Sequence, residues 1–247
     1  MAQRAAIVTG GSSGIGFAIA RMLVDEGYAV TLAARRPEKL EEAVAKLSGD
    51  GREIAQVAGN MGSEEVVAQV VSEHRERFGR LDVLVNNAGV GVGAPVAEIN
   101  TKRLDMQLDV NLRSLVLFYR EAVGLLREAG AEHGKALVVN MSSISGKYGE
   151  PWLSVYSATK AGVVGFTEAM NKELGGEGIK SCALCPAFVD TPMTEFVKET
   201  VAANDMIRAE DIAEAVKMLL ALSPACVIPE IIFQPPGGTP GGLPGTG

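Results

Sequence analysis

Ala5-Ala6-Ile7-Val8-Thr9-Gly10-Gly11-Ser12-Ser13-Gly14-Ile15-Gly16 decides the fold of this chain. A short apolar run bounded by glycine reads as a buried strand. The glycines that follow let the backbone reverse sharply and approach a ligand closely. From Ile15 to Glu26 the apolar spacing becomes helical. A strand that turns through glycines into a helix N-terminus presents unpaired N–H groups and a positive dipole end, which suits a pyrophosphate. Gly10, Ser12, Ser13, Gly14, Ile15 and Gly16 are therefore candidate phosphate-binding residues.

The same alternation continues to the C-terminus. Strands are expected at 30–34, 54–58, 81–85, 136–141, 179–184 and 227–233. Between them lie expected helices at 37–47, from Ser63 onward, at 101–129, at 153–173 and at 209–222. Pro37 can start the second helix, and Glu64 and Glu65 suit the first turn of the third. Strands alternating with helices imply an α/β, doubly wound, Rossmann-type architecture, a mostly parallel seven-stranded sheet with helices on both faces. No repeat or internal linker divides the chain. Residues 1–234 read as one domain, and 235–247 (PPGGTPGGLPGTG) as a flexible Gly/Pro-rich tail.

Composition narrows the function classes. With 47% hydrophobic and 21% charged residues, the 247-residue chain has the material for a core. A net charge of −7 and the lack of any basic run argue against nucleic acid or an anionic membrane as a partner. No N-terminal signal-type segment or membrane-length apolar run is present, so the expectation is a cytoplasmic protein. Three cysteines, Cys182, Cys185 and Cys226, fit a reducing compartment better than a disulfide framework. Cys182 and Cys185 form a C-x-x-C string, but on an expected buried strand an offset of three turns the two thiols to opposite faces, so both read as core residues. No metal site is expected.

The spacing Thr9-Gly10-x-x-x-Gly14-x-Gly16 resembles the short-chain dehydrogenase/reductase family, in its 3-oxoacyl reductase-like and carbonyl reductase-like branch, and later motifs extend the resemblance over nearly the whole chain. A competing string, Gly10-Gly11-Ser12-Ser13-Gly14, matches the G-x-S-x-G elbow of α/β-hydrolases. Only one strand precedes Ser12, however, and the available bases, His74 and His133, lie in charged or polar stretches that read as solvated surface.

Strand two runs into Arg35-Arg36 with no acidic residue before Glu38. An acidic residue there would hold the ribose hydroxyl of NAD, whereas a guanidinium matches the 2′-phosphate of NADP. The expected cofactor is NADP(H) in preference to NAD, held chiefly by Arg35 with Arg36 assisting. Asn60-Met61 follows strand three, where the resemblance implies an adenine contact. Asn86-Asn87-Ala88-Gly89 follows strand four; by the same resemblance Asn87, Ala88 and Gly89 lie beside the adenosine ribose.

Tyr156 and Lys160 are four apart and share a helix face. A free phenol, with pKa about 10, is a poor base near neutrality, and a neighbouring ammonium would lower it. The family resemblance implies a tetrad of Asn111, Ser143, Tyr156 and Lys160. In it Tyr156 exchanges the hydroxyl proton, Ser143 holds the substrate oxygen, Lys160 lowers the phenol pKa and bonds the nicotinamide ribose, and Asn111 sits at a helix kink. The thirteen-residue spacing to Tyr156 selects Ser143, leaving Ser142 structural. Pro186, Val189 and Thr191 match the family's nicotinamide-contacting segment; Ala187 stands where glycine is usual. Residues 192–206 would form a lid, with Met193, Phe196, Val197 and Met206 lining an apolar, open pocket.

The implied function is hydride transfer between nicotinamide and a carbonyl/secondary-alcohol pair, with a small-molecule partner and a homotetramer or homodimer built on helices near 101–129 and 153–173. The alternatives are a dedicated 3-oxoacyl-thioester reductase or a non-catalytic dinucleotide sensor.

Overall fold

The computed structural model describes residues 3–49, 51–199 and 201–236. Its seven strands are β1 (Ala5–Thr9), β2 (Ala29–Ala34), β3 (Ile54–Ala58), β4 (Val83–Asn86), β5 (Ala136–Met141), β6 (Ile179–Pro186) and β7 (Glu230–Phe233). The helices are α1 (Gly14–Asp25), α2 (Pro37–Leu47), α3 (Glu64–Phe78), α4 (Thr101–Leu108), α5 (Ser114–His133), α6 (Ser154–Leu174) and α7 (Ala209–Ala221).

All strands pair in parallel, in the order β3-β2-β1-β4-β5-β6-β7. Alternate residues of each strand feed opposite cores. Ala6 and Val8 pack with α1, α2 and α7, while Ile7 and Leu84 pack with α3 and α5. Burial on both faces explains why the strands read as continuous apolar runs. The winding reverses between β1 and β4, and the crevice beyond their carboxyl ends is where a doubly wound sheet binds ligands.

Element ends differ from expectation where side chains compete for the backbone. Strand four was expected at 81–85 but begins at Val83: the Asp82 carboxylate accepts from the Ala5 N–H at 2.8 Å and is held by Arg80 at 2.7 Å. The last strand, expected from residue 227, begins at Glu230. Pro229, which has no N–H to donate to a ladder, still accepts from the Ala183 N–H at 2.9 Å. The stretch read as one helix over 101–129 is interrupted by a π-helical turn at Asp109–Arg113.

His74 corrects the surface reading made from its charged surroundings: it is fully buried against β2. Its Nε2 lies 2.8 Å from the Arg80 carbonyl and its Nδ1 2.7 Å from the Thr31 hydroxyl. A carbonyl only accepts, so Nε2 carries the proton and Nδ1 accepts from Thr31. Burial pushes the imidazole pKa down to about 4. The signal was in the sequence: Val67, Val70, Val71 and His74 form an i, i+3, i+4, i+7 stripe. Cys182 and Cys185 are both buried, with burial pushing their thiols up to about 12 and about 11, so neither is a ready thiolate.

Candidate active site

Thr9 ties the glycine turn to the end of β4. Its hydroxyl donates to the Val85 carbonyl and accepts from the N–H groups of Asn87 and Ala88, both at 3.0 Å. The Asn87 amide donates back to the Thr9 and Gly10 carbonyls. Gly10 has φ +65, and a Cβ on Gly16 would stand 2.4 Å from the Gly10 carbonyl oxygen. Only glycines let the turn fold this tightly against Asn87.

The turn borders a cleft of about 1030 Å³ at the carboxyl ends of the strands. Gly10, Ser12, Ser13, Gly14 and Ile15 form one end of its wall, with Arg35, Arg36, Asn60 and Met61. Among the described residues neither Arg35 nor Arg36 has an ion-pair partner, and both side chains are exposed. Asn60 also shapes its own turn, accepting from the Gly62 N–H at 3.2 Å. Asn87, Ala88, Gly89, Pro186, Val189 and Thr191 line the cleft further in, and Gln234 and Pro235 reach its rim. Two expected residues do not face it: Gly16 is buried behind the turn, and Asn111 lies behind the residue 89–93 loop. From residue 237 the expected flexible tail lies outside the described residues.

Ser143, Tyr156 and Lys160 share the opposite wall. Ser143 follows β5; its hydroxyl accepts from the Ser145 N–H at 3.2 Å and acts to lower the Tyr156 phenol. Ser142 points away, donating to the Lys160 carbonyl at 2.8 Å. Lys160 is buried, its Nζ donating to the Met141 carbonyl at 2.8 Å and standing 5.7 Å from the centroid of the Tyr156 ring. Burial pushes its pKa down to about 8. Asn111 completes the group from the π-helical turn. Its side chain accepts from the Val90 N–H at 2.8 Å and donates to the Val90 carbonyl at 2.9 Å and to the Thr159 hydroxyl at 3.1 Å.

One expectation is corrected here. The phenol of Tyr156 is raised, not lowered: burial pushes it up, and the hydrogen bond with Ser143 pulls it only partly back. The lysine ammonium lies over the ring and bonds a backbone carbonyl, so burial outweighs its field. Ala187, the departure from glycine, is not among the residues with positive φ, so its methyl is accommodated without strain. Of the four apolar residues expected in the lid, Met193 and Phe196 are exposed and line the cleft, whereas Val197 and Met206 are buried. Sequence reasoning missed Gln107 and Trp152. Gln107 is fully buried and accepts from the Val92 N–H at 3.2 Å; its only sequence cue is its place one helical turn before Asn111. Trp152 lines the cleft with φ +68, which nothing in the sequence announces.

Among the described residues no group of three or more His, Cys, Asp or Glu could hold a metal ion, and no helix is long and apolar enough to cross a membrane. The family model described as short chain dehydrogenase matches residues 4–202. The monensin polyketide synthase putative ketoacyl reductase of Streptomyces virginiae is 38% identical over 201 residues, covering 81% of this chain and 76% of that protein. A point variant of the actinorhodin polyketide ketoreductase with NADPH superposes with a TM-score of 0.84 at 32% identity, over 94% of this chain and 97% of that one. The 3-ketoacyl-(acyl-carrier-protein) reductase of Brucella melitensis, complexed with NADH, gives 0.85 at 26% identity, over 94% and 96%. With this match across the glycine turn, the Asn-Ala-Gly segment and the Tyr–Lys pair, the chain belongs to the short-chain dehydrogenase/reductase family of oxidoreductases.

Proposed function

We propose that this protein is an NADP(H)-dependent reductase of small carbonyl compounds, reversibly linked to their secondary alcohols, with Tyr156 as the proton donor. One observation carries the reading: a single cleft has an anion-compatible glycine turn with two unpaired arginines at one end and Ser143, Tyr156 and Lys160 on the opposite wall. The tight approach of Gly16 to Gly10 needs both positions bare of a side chain, and a turn this tight suits a pyrophosphate. The Gly10–Gly16 turn, Asn60, Met61, the Asn87–Gly89 segment, Pro186, Val189 and Thr191 would hold the dinucleotide, with Arg35 and Arg36 at its 2′-phosphate. When bound, the nicotinamide supplies the hydride.

The chain's own residues handle the oxygen. Ser143 and Tyr156, which share this wall, hold a carbonyl oxygen between their hydroxyls. A raised phenol is protonated at neutral pH, the form that gives a proton to a forming alkoxide. Lys160 stays mainly protonated near neutrality and keeps two N–H groups beyond the one donated to Met141, enough to bond a ribose hydroxyl beside Tyr156. Asn111 and Gln107 fix the loop facing these groups. Retention of all four expected catalytic side chains supports an enzyme over a dinucleotide sensor.

A 3-oxoacyl-thioester substrate is the second reading, favoured by the names of the relatives. The free cysteines fit a cytoplasmic setting, and exposed Leu108 and Val116 fit a homo-oligomer.

Thermal unfolding with NADPH and, separately, NADH tests the cofactor half without a substrate. At 100 times its dissociation constant a ligand stabilises by about 2.7 kcal/mol. A shift with NADPH alone is expected. A shift with NADH alone would overturn the role given to Arg35, and no shift with either would overturn the whole reading.

A further inference from the structure

Gly89-Val90-Gly91-Val92-Gly93 runs along the cleft beside the tyrosine. Its backbone is held at every second residue: the N–H of Val90 donates to Asn111, that of Val92 to Gln107, and that of Ala94 to the Trp152 carbonyl at 2.8 Å. The glycines occupy the other register and face side chains beside the cleft. A Cβ on Gly89 would stand 3.4 Å from both Asn111 Oδ1 and Lys160 Nζ, one on Gly91 3.7 Å from the Tyr156 ring, and one on Gly93 2.4 Å from the Trp152 indole. Lys160, Tyr156 and Trp152 are thus seated in a row, and exposure rises along it from 3% at Lys160 to 47% at Trp152.

Trp152 is also the one described non-glycine residue with positive φ. A bulky residue persists in that region only where its surroundings over-determine it, and such strain gathers at ligand clamps. Here the Ala94 hydrogen bond and the bare face of Gly93 hold the indole half-exposed in the cleft. Arg35 and Arg36 sit at the glycine-turn end and Lys160 is buried; the other charged groups lining the cleft are the carboxylates of Glu150 and Asp205.

We propose that Trp152 is a specificity-determining residue that selects uncharged ketones carrying an aromatic ring directly on the carbonyl carbon, the ring stacking on the indole while the oxygen lies at Tyr156. The proposal rests on the cleft being the carbonyl site. Stacked or edge-on aromatic pairs gain beyond what apolar burial supplies, which separates a flat ring from a saturated one. The carboxylates disfavour keto acids.

Acetophenone and cyclohexyl methyl ketone share a skeleton and differ in ring saturation. Their dissociation constants would be measured by calorimetry with and without NADP⁺, on the wild type, Trp152→Leu and Gly93→Ala. The wild type is expected to favour acetophenone about three- to tenfold. Trp152→Leu should bring the ratio near one, and Gly93→Ala, whose methyl displaces the indole, should lower it in the same direction. Trp152 is the chain's one tryptophan, so acetophenone should also change its emission saturably, after correction for absorbance. Equal affinity in the wild type, no binding of acetophenone, or a ratio that survives both substitutions would overturn the assignment. Because binding is read, loss of the carbonyl-reductase reading would show separately, as absent NADPH turnover with the binding ratio intact.

Discussion

Tyr156 holds its proton more tightly than a free tyrosine because burial penalises the phenolate more than Ser143 stabilises it. Carbonyl reduction uses the protonated form and alcohol oxidation the phenolate. Reduction should therefore stay level through neutral pH, while oxidation rises as pH climbs on the alkaline side. Rates in both directions across pH 6–10 check this, and an oxidation rate that is flat over that range would contradict it. Tyr156→Phe removes the transferable proton but leaves the ring against Gly91; turnover should fall about 10²- to 10⁴-fold with cofactor affinity retained. Arg35→Ala should weaken NADPH by about one to two orders of magnitude, the worth of a charge-assisted hydrogen bond, and leave NADH nearly unchanged. Equilibrium binding of both cofactors to that variant is the measurement. Much at this scale was legible, because glycine spacing, Arg35-Arg36 and Tyr156/Lys160 are local patterns. The direction of the Tyr156 shift was not, since it depends on where the Lys160 ammonium points and on how dry the site is.

Strands and helices announced themselves by alternation, and their ends were lost wherever a side chain or a proline took over a backbone bond, as at Asp82 and Pro229. The π-helical turn at Asp109–Arg113 left no mark in the apolar periodicity; only the resemblance implied a kink at Asn111. Elements are also joined by polar contacts that periodicity cannot show. On β5, Asn140 donates to Tyr119 of α5 and to Thr167 of α6, each at 2.9 Å, and accepts from Asn86 of β4 at 3.0 Å. Tyr119 donates in turn to Ser181 of β6 at 2.8 Å. Burial with no charged partner pushes the Tyr119 phenol up to about 12, so it remains a neutral link. Tyr119→Phe deletes one oxygen and leaves buried partners short of a bond; urea unfolding should show a loss of about 1–3 kcal/mol, with cofactor binding unaffected.

Across the whole molecule, acid stability should pass through His74. Its folded pKa of about 4 lies below the ordinary value of 6.5, so the unfolded chain binds the extra proton first as pH falls. The stability is fully present above pH 6.5 and is lost progressively toward pH 4, by about 3 kcal/mol in total. Denaturant melts across that window, compared with His74→Asn, test it; equal slopes in the two proteins would remove His74 as the cause. Val189 and Ile207 form a parallel bridge, with the Ile207 N–H donating to Phe188 at 3.0 Å and the Asp190 N–H to Ile207 at 2.9 Å. Whatever lies between these residues enters and leaves through one clasp. Beyond Thr191, which packs against Gly14, the segment is accordingly a replaceable cassette: its length and composition can be exchanged, by divergence or by grafting, at a closure cost of only about 0.6 kcal/mol for each doubling, while the tyrosine wall and the glycine turn stay where the sheet has put them.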